Sequence, residues 1–374
     1  MVAKKKTNLT QLTWLRGIAA FWVICSHVNR ATEVAYTEKD TVSSSVLLSI
    51  FDLGTLGVAL FFTLSGVTLF ISNRDISTES PIRFYVKRFF RIWPAYAFAL
   101  IIYICAGFLF REWYVGDPKY WVADQFTKDY TVKDVLMYLS LSFNISGTGG
   151  LFNNAFWSLP VEFQYYLAFP LIVLLLRFVG IIGPVLLGAF AYLLYRSGAV
   201  DLSSNLLLIF AFTFCSGACI GSLYKSSDFR FNLWFFILTT FTIILMNVLM
   251  VNQIVPIEMY IFIPNEWVFF GISSVALVAL VTFSDIELPS KLDRFLEHYG
   301  KVSYSTYLYH NLVIAFLVVG ISYFEIHNSS TRLIYMIIFS FLITHAISLV
   351  SYKFIEKKFI NFGRIASNYS FNKN

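Results

Sequence analysis

Ten apolar stretches, each long enough to cross a hydrocarbon layer about 30 Å thick, constrain this chain more than any single motif. They lie near 12–30, 52–72, 92–110, 156–176, 178–196, 204–224, 232–252, 265–284, 302–324 and 332–353. Hydrophobic residues make up 57% of the 374 and charged residues 13%, against about 25% charged in soluble domains. Backbone polar groups in lipid must bond within their own segment, so the fold class expected is an all-α polytopic integral membrane protein of about ten transmembrane helices. The stretches 156–176 and 178–196 are separated by little more than Arg177 and should form a tight hairpin, with Gly180, Gly183 and Pro184 loosening the start of the second. Residues 132–146 are too short and polar to span; they read as a surface helix in a loop from Arg111 to Ala155, and loops of that length are usually functional.

Charge orients the bundle. If the spans alternate, only Arg30, Lys39, Arg111, Lys119, Lys128, Lys133, Arg196 and Arg332 of the 28 Lys and Arg fall on the side opposite the termini. The positive-inside rule therefore places both termini in the cytoplasm. The net charge of +6 then reflects topology and contact with anionic membrane lipid, and no nucleic-acid partner is expected. The basic Lys4, Lys5 and Lys6 precede a segment without a small-residue cleavage site, which reads as a retained first span. A single membrane-embedded unit, 1–356, should be followed by a short basic cytoplasmic tail, 357–374, with no fused extracytoplasmic domain. Cys25, Cys105, Cys215 and Cys219 all lie in apolar segments, so neither a disulfide framework nor a metal site is expected.

The first span carries Arg16 near its start and His27 near its end, residue types that membrane segments normally exclude. Eleven helical steps advance about 16 Å and turn through about 1100°, which puts both side chains on one face. Such a stripe suits a long anionic ligand whose reactive end reaches into the membrane while its charged end stays near the surface.

Further polar constellations accompany that stripe. In PIRFYVKRFFRIWPAY, 81–96, the cations Arg83, Lys87, Arg88 and Arg91 recur at helical spacing on the cytoplasmic side, where two or three can converge on a phosphate. In FWSLPVEFQYYLAFPL, 156–171, Glu162 and Gln164 sit beside Trp157 near the outer end of a span. A lipid-facing carboxylate there would cost about 2.5 kcal/mol or more, so Glu162 should face the bundle interior or an outer cavity; it reads either as an acceptor-side residue or as an interfacial acid paired with a loop cation. In GKVSYSTYLYHNLVI, 300–314, Tyr307 precedes His310 by one helical turn, which permits an internal hydrogen-bonded pair.

LRGIAAFWVICSH, FFTLSGVTLF at 61–70, VKRFFRIWPAY and FWSLPVEFQYYLAFP together resemble the membrane-bound acyltransferase family 3, the integral-membrane O-acyltransferases of bacterial surface glycans. YSTYLYH and the SYKFIEKKF ending also look like the family's late spans, so the resemblance covers nearly the whole chain. The arginine, ten residues, histidine pattern is its most specific signal. The resemblance implies a cytoplasmic acyl-CoA donor, by default acetyl-CoA, acting as a co-substrate with no permanently bound cofactor. It further implies that the acceptor is a hydroxyl of a cell-surface polysaccharide or lipid-linked sugar and that the enzyme sits in the inner membrane. Carried over, His27 takes the acceptor's proton or transiently holds the acyl group. Arg16, Lys87, Arg88 and Arg91, with Arg83 nearby, hold the CoA phosphates, and Glu162, Gln164 and Trp157 lie on the acceptor side. Ser65 and Gly66 would let the second span approach the first closely. Transfer is either direct or completed by a separate extracytoplasmic transferase; direct transfer is the preferred reading. The competing class is a proton-coupled transporter or exporter of an anionic solute, with His27 relaying protons and Arg16 binding the solute. The later half of the chain carries no second LRGIAAF-like copy of the kind that paired carrier halves show.

Overall fold

A computed structural model describes residues 9–35, 48–72, 81–113, 125–147, 149–199, 206–252, 254, 266–322 and 329–369. Expectations that rest on Lys4, Lys5, Lys6, Lys39, Lys119, Lys373 and the middle of the 111–155 loop lie outside the described residues. The described chain is all-helical: α1 Thr10–Ala35, α2 Gly54–Ser72, α3 Pro81–Trp113, α4 Val132–Leu139, α5 Ser158–Phe178, α6 Ile182–Ser197, α7 Ala211–Ser226, α8 Leu233–Val251, α9 Glu266–Thr282, α10 Ser290–Lys301, α11 Ser303–Ser322, α12 Ser329–Ser351 and α13 Lys357–Tyr369. The described part of each of the ten apolar stretches falls largely on one of these helices. Among the described residues six helical runs are long and apolar enough to cross a membrane, and a seventh qualifies if α10 and α11, bent by 71° at their junction, count as one. The helices α6 and α9 have 16 and 17 residues, short of the roughly 20 that a straight crossing needs.

The sequence places its long apolar segments differently within the bundle. Nearly all of α2 is buried, whereas α8 presents Leu233, Trp234, Phe235, Leu238 and Phe241 outward, as a lipid-facing helix does. Gly66 on α2 and Gly217 on α7 are interlocked: a side chain on Gly66 would strike the Phe214 carbonyl, and one on Gly217 the Thr63 carbonyl. Small residues let the two backbones touch, which is the main source of attraction between helices where lipid removes the hydrophobic drive. The close approach expected of Ser65 and Gly66 toward the first span is thus made by Gly66 to α7. Contact with α1 is made instead by Gly54 and Gly57, where an added carbon would sit 2.5 Å from Ser26 Cβ and 2.6 Å from the Ala19 carbonyl.

At 33 residues, α3 rises about 50 Å, so its basic first turns extend beyond a 30 Å core. It opens on Pro81, where the missing N–H costs nothing, and continues through Pro94. Val132–Leu139 is the short helix expected at the surface; Thr131 and Asp134 close a capping box at its start. Its Tyr138 is buried and stacks on Phe143 with ring centroids 3.9 Å apart. The tight hairpin after Arg177 is present, with Gly180 in the left-handed region at φ 71°. All four cysteines are free, and among the described residues no group of three or more His, Cys, Asp or Glu could hold a metal. The segment read as a basic tail is, over Lys357–Tyr369, a helix whose Phe362 ring lies 5.0 Å from that of Phe90 on α3. A π-helical turn, Tyr352–Glu356, joins it to α12.

Candidate functional site

A cavity of about 260 Å3 runs between α1, α2, α3, α5 and α11. Its α2 wall extends from Ser72 to Val58, which at 1.5 Å per residue is about 21 Å of length. Three guanidinium groups reach it: Arg16 from α1, and Arg88 and Arg91 from α3. The i, i+3 spacing puts the two α3 arginines on one face. Arg16 Nη2 donates to Thr68 Oγ1 at 2.7 Å. Arg88 lies over the rings of Phe84 at 5.5 Å and Tyr166 at 5.8 Å. Arg91 Nη1 lies 2.5 Å from Glu356 Oε1, and Ser305 Oγ donates to the other oxygen of Glu356 at 2.8 Å. The π-helical turn that Glu356 ends inserts one extra residue into the helical register, a common device at functional positions.

The sequence reading separates Glu162 from the cations, but folding brings them together. Glu162 lines the same cavity as the three arginines, accepting from Ser65 Oγ at 3.0 Å and from the Tyr166 hydroxyl. The cavity therefore carries three cations and one carboxylate on its walls. Arg83 and Lys87 do not line it, although they belong to the same basic run. Gln164 is turned elsewhere and exchanges two amide hydrogen bonds with Asn144, both 3.0 Å. Trp157 packs against Phe210 and Trp267, with ring centroids 6.1 and 5.8 Å away.

At the far end of the cavity stand Val58, Phe61, Ser158 and Tyr307. The Phe61 and Tyr307 rings meet edge to face at 5.9 Å. The Tyr307 hydroxyl donates to the Ala155 carbonyl at 2.6 Å and so accepts from Ser158 Oγ at 2.7 Å. The hydrogen bond between Tyr307 and His310 is made by the Tyr307 carbonyl, which meets His310 Nδ1 at 2.8 Å, because the phenol is already engaged. Beyond Tyr307 the His310 ring is 5.6 Å away, and His27 lies 4.9 Å from His310. His27 is half-buried and does not line the arginine cavity; the two are separated by that aromatic layer.

Four residues that the sequence reading does not single out complete the polar framework: Tyr166, Glu356, Asn311 and Asn153. His27 Nδ1 lies 2.6 Å from Asn311 Oδ1, and Asn311 Nδ2 lies 2.7 Å from Asn153 Oδ1. Glu356 had a visible signal as a lone acid in the basic run YKFIEKKF, and Asn311 as the neighbour of His310. Asn153 had none, since it comes from the loop before α5.

A family model described as an acyltransferase domain matches residues 9–353. The chain is also similar to "Acyltransferase MdmB" of Streptomyces mycarofaciens, at 34% identity over 173 residues. That match covers 46% of this chain and 40% of the relative, so the chain spans less than half of the relative's length. No solved structure matches it.

Proposed function

The chain belongs to the acyltransferase 3 family, whose model covers nearly all of it, and from that premise we propose that it is a membrane O-acyltransferase using cytoplasmic acyl-CoA. The observation that carries the reading is the long cavity with Arg16, Arg88 and Arg91 on its walls and the His27 centre beyond its aromatic far end. Three guanidinium groups are suited to the charged phosphates of CoA, and the remaining length suits its thin pantetheine arm. At about 260 Å3 the cavity falls just below the range of roughly 300–1,000 Å3 that holds whole drug-sized ligands, consistent with part of the donor lying outside its mouth.

In this reading the thioester reaches His27 when Phe61 or Tyr307 swings aside. His27 takes the proton of the acceptor hydroxyl as the oxygen attacks the thioester carbonyl. A carbon–oxygen bond forms, the carbon–sulfur bond breaks, and the proton returns to the departing CoA thiolate. Glu162 tempers the charge of the arginine cavity through Ser65 and Tyr166. We take all ten apolar helices as crossing an inner membrane with both termini cytoplasmic, acetyl as the group moved, and a cell-surface polysaccharide or lipid-linked sugar as acceptor.

Purified protein in nanodiscs, given acetyl-CoA and a cell-envelope glycan extract, should release free CoA. Release should require the extract and vanish in His27→Ala, while that variant still binds acetyl-CoA. Folded wild-type protein that neither binds nor turns over acetyl-CoA would overturn the reading.

A further inference from the structure

Resting on the reading of His27 as the proton acceptor, we propose that Asn311 is a positioning residue that locks the His27 ring in a single tautomer, with Asn153 as its anchor. The polarity of every bond follows from one group that can only donate. The Ala155 backbone N–H meets Asn153 Oδ1 at 2.9 Å, so that atom is the carbonyl oxygen, and the Asn153 amide nitrogen faces the Leu308 carbonyl at 3.5 Å. Asn311 approaches the same oxygen at 2.7 Å and must present its NH2 group there. Its own carbonyl oxygen is then the atom 2.6 Å from His27 Nδ1. A carbonyl only accepts, so His27 Nδ1 carries the hydrogen, and in the neutral ring Nε2 is the nitrogen that keeps the lone pair. Nε2 is thereby the atom available to take a proton.

Burial makes the lock effective. Asn311 is 0% exposed and Asn153 1%, so water does not compete for either amide. His310 is set by the same logic: its Nδ1 faces the Tyr307 carbonyl and so bears the hydrogen, and because its buried Nε2 meets no hydrogen-bond partner among the described residues, the neutral ring is the form that fits beside His27. An amide differs from the carboxylate that usually orients a catalytic histidine, because it fixes the tautomer without strongly stabilising the imidazolium. A proton taken from the acceptor is then readily surrendered to the leaving thiolate.

The test uses full-length protein in nanodiscs with 15N-labelled histidine, the His27 resonances being identified by their loss in His27→Ala. Wild-type protein should show His27 protonated at Nδ1 and bare at Nε2. Asn311→Leu, close in size but without the acceptor, should lose that signature. It should also lower kcat on the order of 10–100-fold, the range seen when the orienting partner of a metal-bound histidine is removed, and leave KM for acetyl-CoA unchanged. Asn311→Asp, which keeps an acceptor at Nδ1 but loses the NH2 group that meets Asn153 Oδ1, should retain the Nδ1-protonated tautomer while kcat stays below wild type. Wild-type protein protonated at Nε2 overturns the proposal whether or not any variant folds, and so does a folded Asn311→Leu with the wild-type spectrum and kcat. The spectroscopic arm needs no turnover: an Asn311-dependent tautomer in a protein that transfers no acyl group upholds the positioning and refutes the functional reading instead.

Discussion

Truncating Arg91 to alanine removes two things at once, a cation of the cavity and the counter-charge of Glu356. The Glu356 side chain is 0% exposed and that of Arg91 33%, with 2.5 Å between their atoms. Stranding one partner of a buried pair costs about 3–5 kcal/mol, and the partial exposure of Arg91 places this case near the lower end, about 3 kcal/mol. Arg88 instead rests on the faces of Phe84 and Tyr166, contacts worth about 0.5–2 kcal/mol. For donor binding the two should be alike, because each lost guanidinium–phosphate contact is worth about 1.5–3 kcal/mol, or about 10- to 100-fold in Kd. The expected pattern is that Arg88→Ala weakens donor binding with a modest change in stability, whereas Arg91→Ala weakens binding and also lowers the unfolding midpoint sharply. Replacing Glu356 with Gln in the Arg91→Ala background removes the stranded charge and keeps an acceptor of the same shape. That double variant should regain most of the stability but none of the affinity. Thermal unfolding in detergent and equilibrium binding of radiolabelled acetyl-CoA read the two effects separately. An Arg91→Ala protein that melts like wild type, or a double variant that binds donor like wild type, would refute the reasoning.

Gly217→Ala should destabilise the bundle by about 1–3 kcal/mol, read as a lower melting midpoint, because the new methyl strikes the Thr63 carbonyl and that cost exceeds the gain of about 1 kcal/mol in helix propensity. Gly320→Ala on α11, where nothing described lies within 4 Å, should move the midpoint the other way. The Thr131 backbone N–H and hydroxyl, both donating at 2.7 Å, hold the Asp134 carboxyl below its ordinary value. A lowered folded-state value contributes stability above the unfolded value that is lost as pH falls through the lowered one. Hydrogen-exchange protection of Val132–Leu139 should therefore persist at neutral pH and disappear only in acid, and Asp134→Ala should remove it at neutral pH.

Much of this architecture is written in local composition. A run of about twenty apolar residues has nowhere else to satisfy its backbone in lipid than a helix, so each of the ten stretches could be located without knowing its neighbours. The Arg16 to His27 spacing and the Arg88 to Arg91 spacing are likewise properties of single helices, which repeat every 3.6 residues whatever surrounds them. The capping box of Thr131 and Asp134 spans only four residues and is equally local.

What the sequence could not settle was which faces meet. Glu162 and Arg16 are both interior residues of apolar segments, and only the packing of α5 against α2 and α3 brings the acid into the arginine cavity. Arg91 and Glu356 are separated by 265 positions and His27 and Asn311 by 284, and no periodicity links such distant residues. The small residues of α2 signalled a close contact but not its partner: Ser65 and Gly66 were expected to meet the first span, and Gly66 meets α7, because a glycine reports only that some backbone comes near. Local hydrogen bonding and burial thus determined from the sequence alone that the chain is a bundle with charges in its spans. The pairing of those charges, the aromatic layer between cavity and His27, and the amide chain behind its ring were decided by tertiary packing, since each joins side chains from different helices across a shared interior.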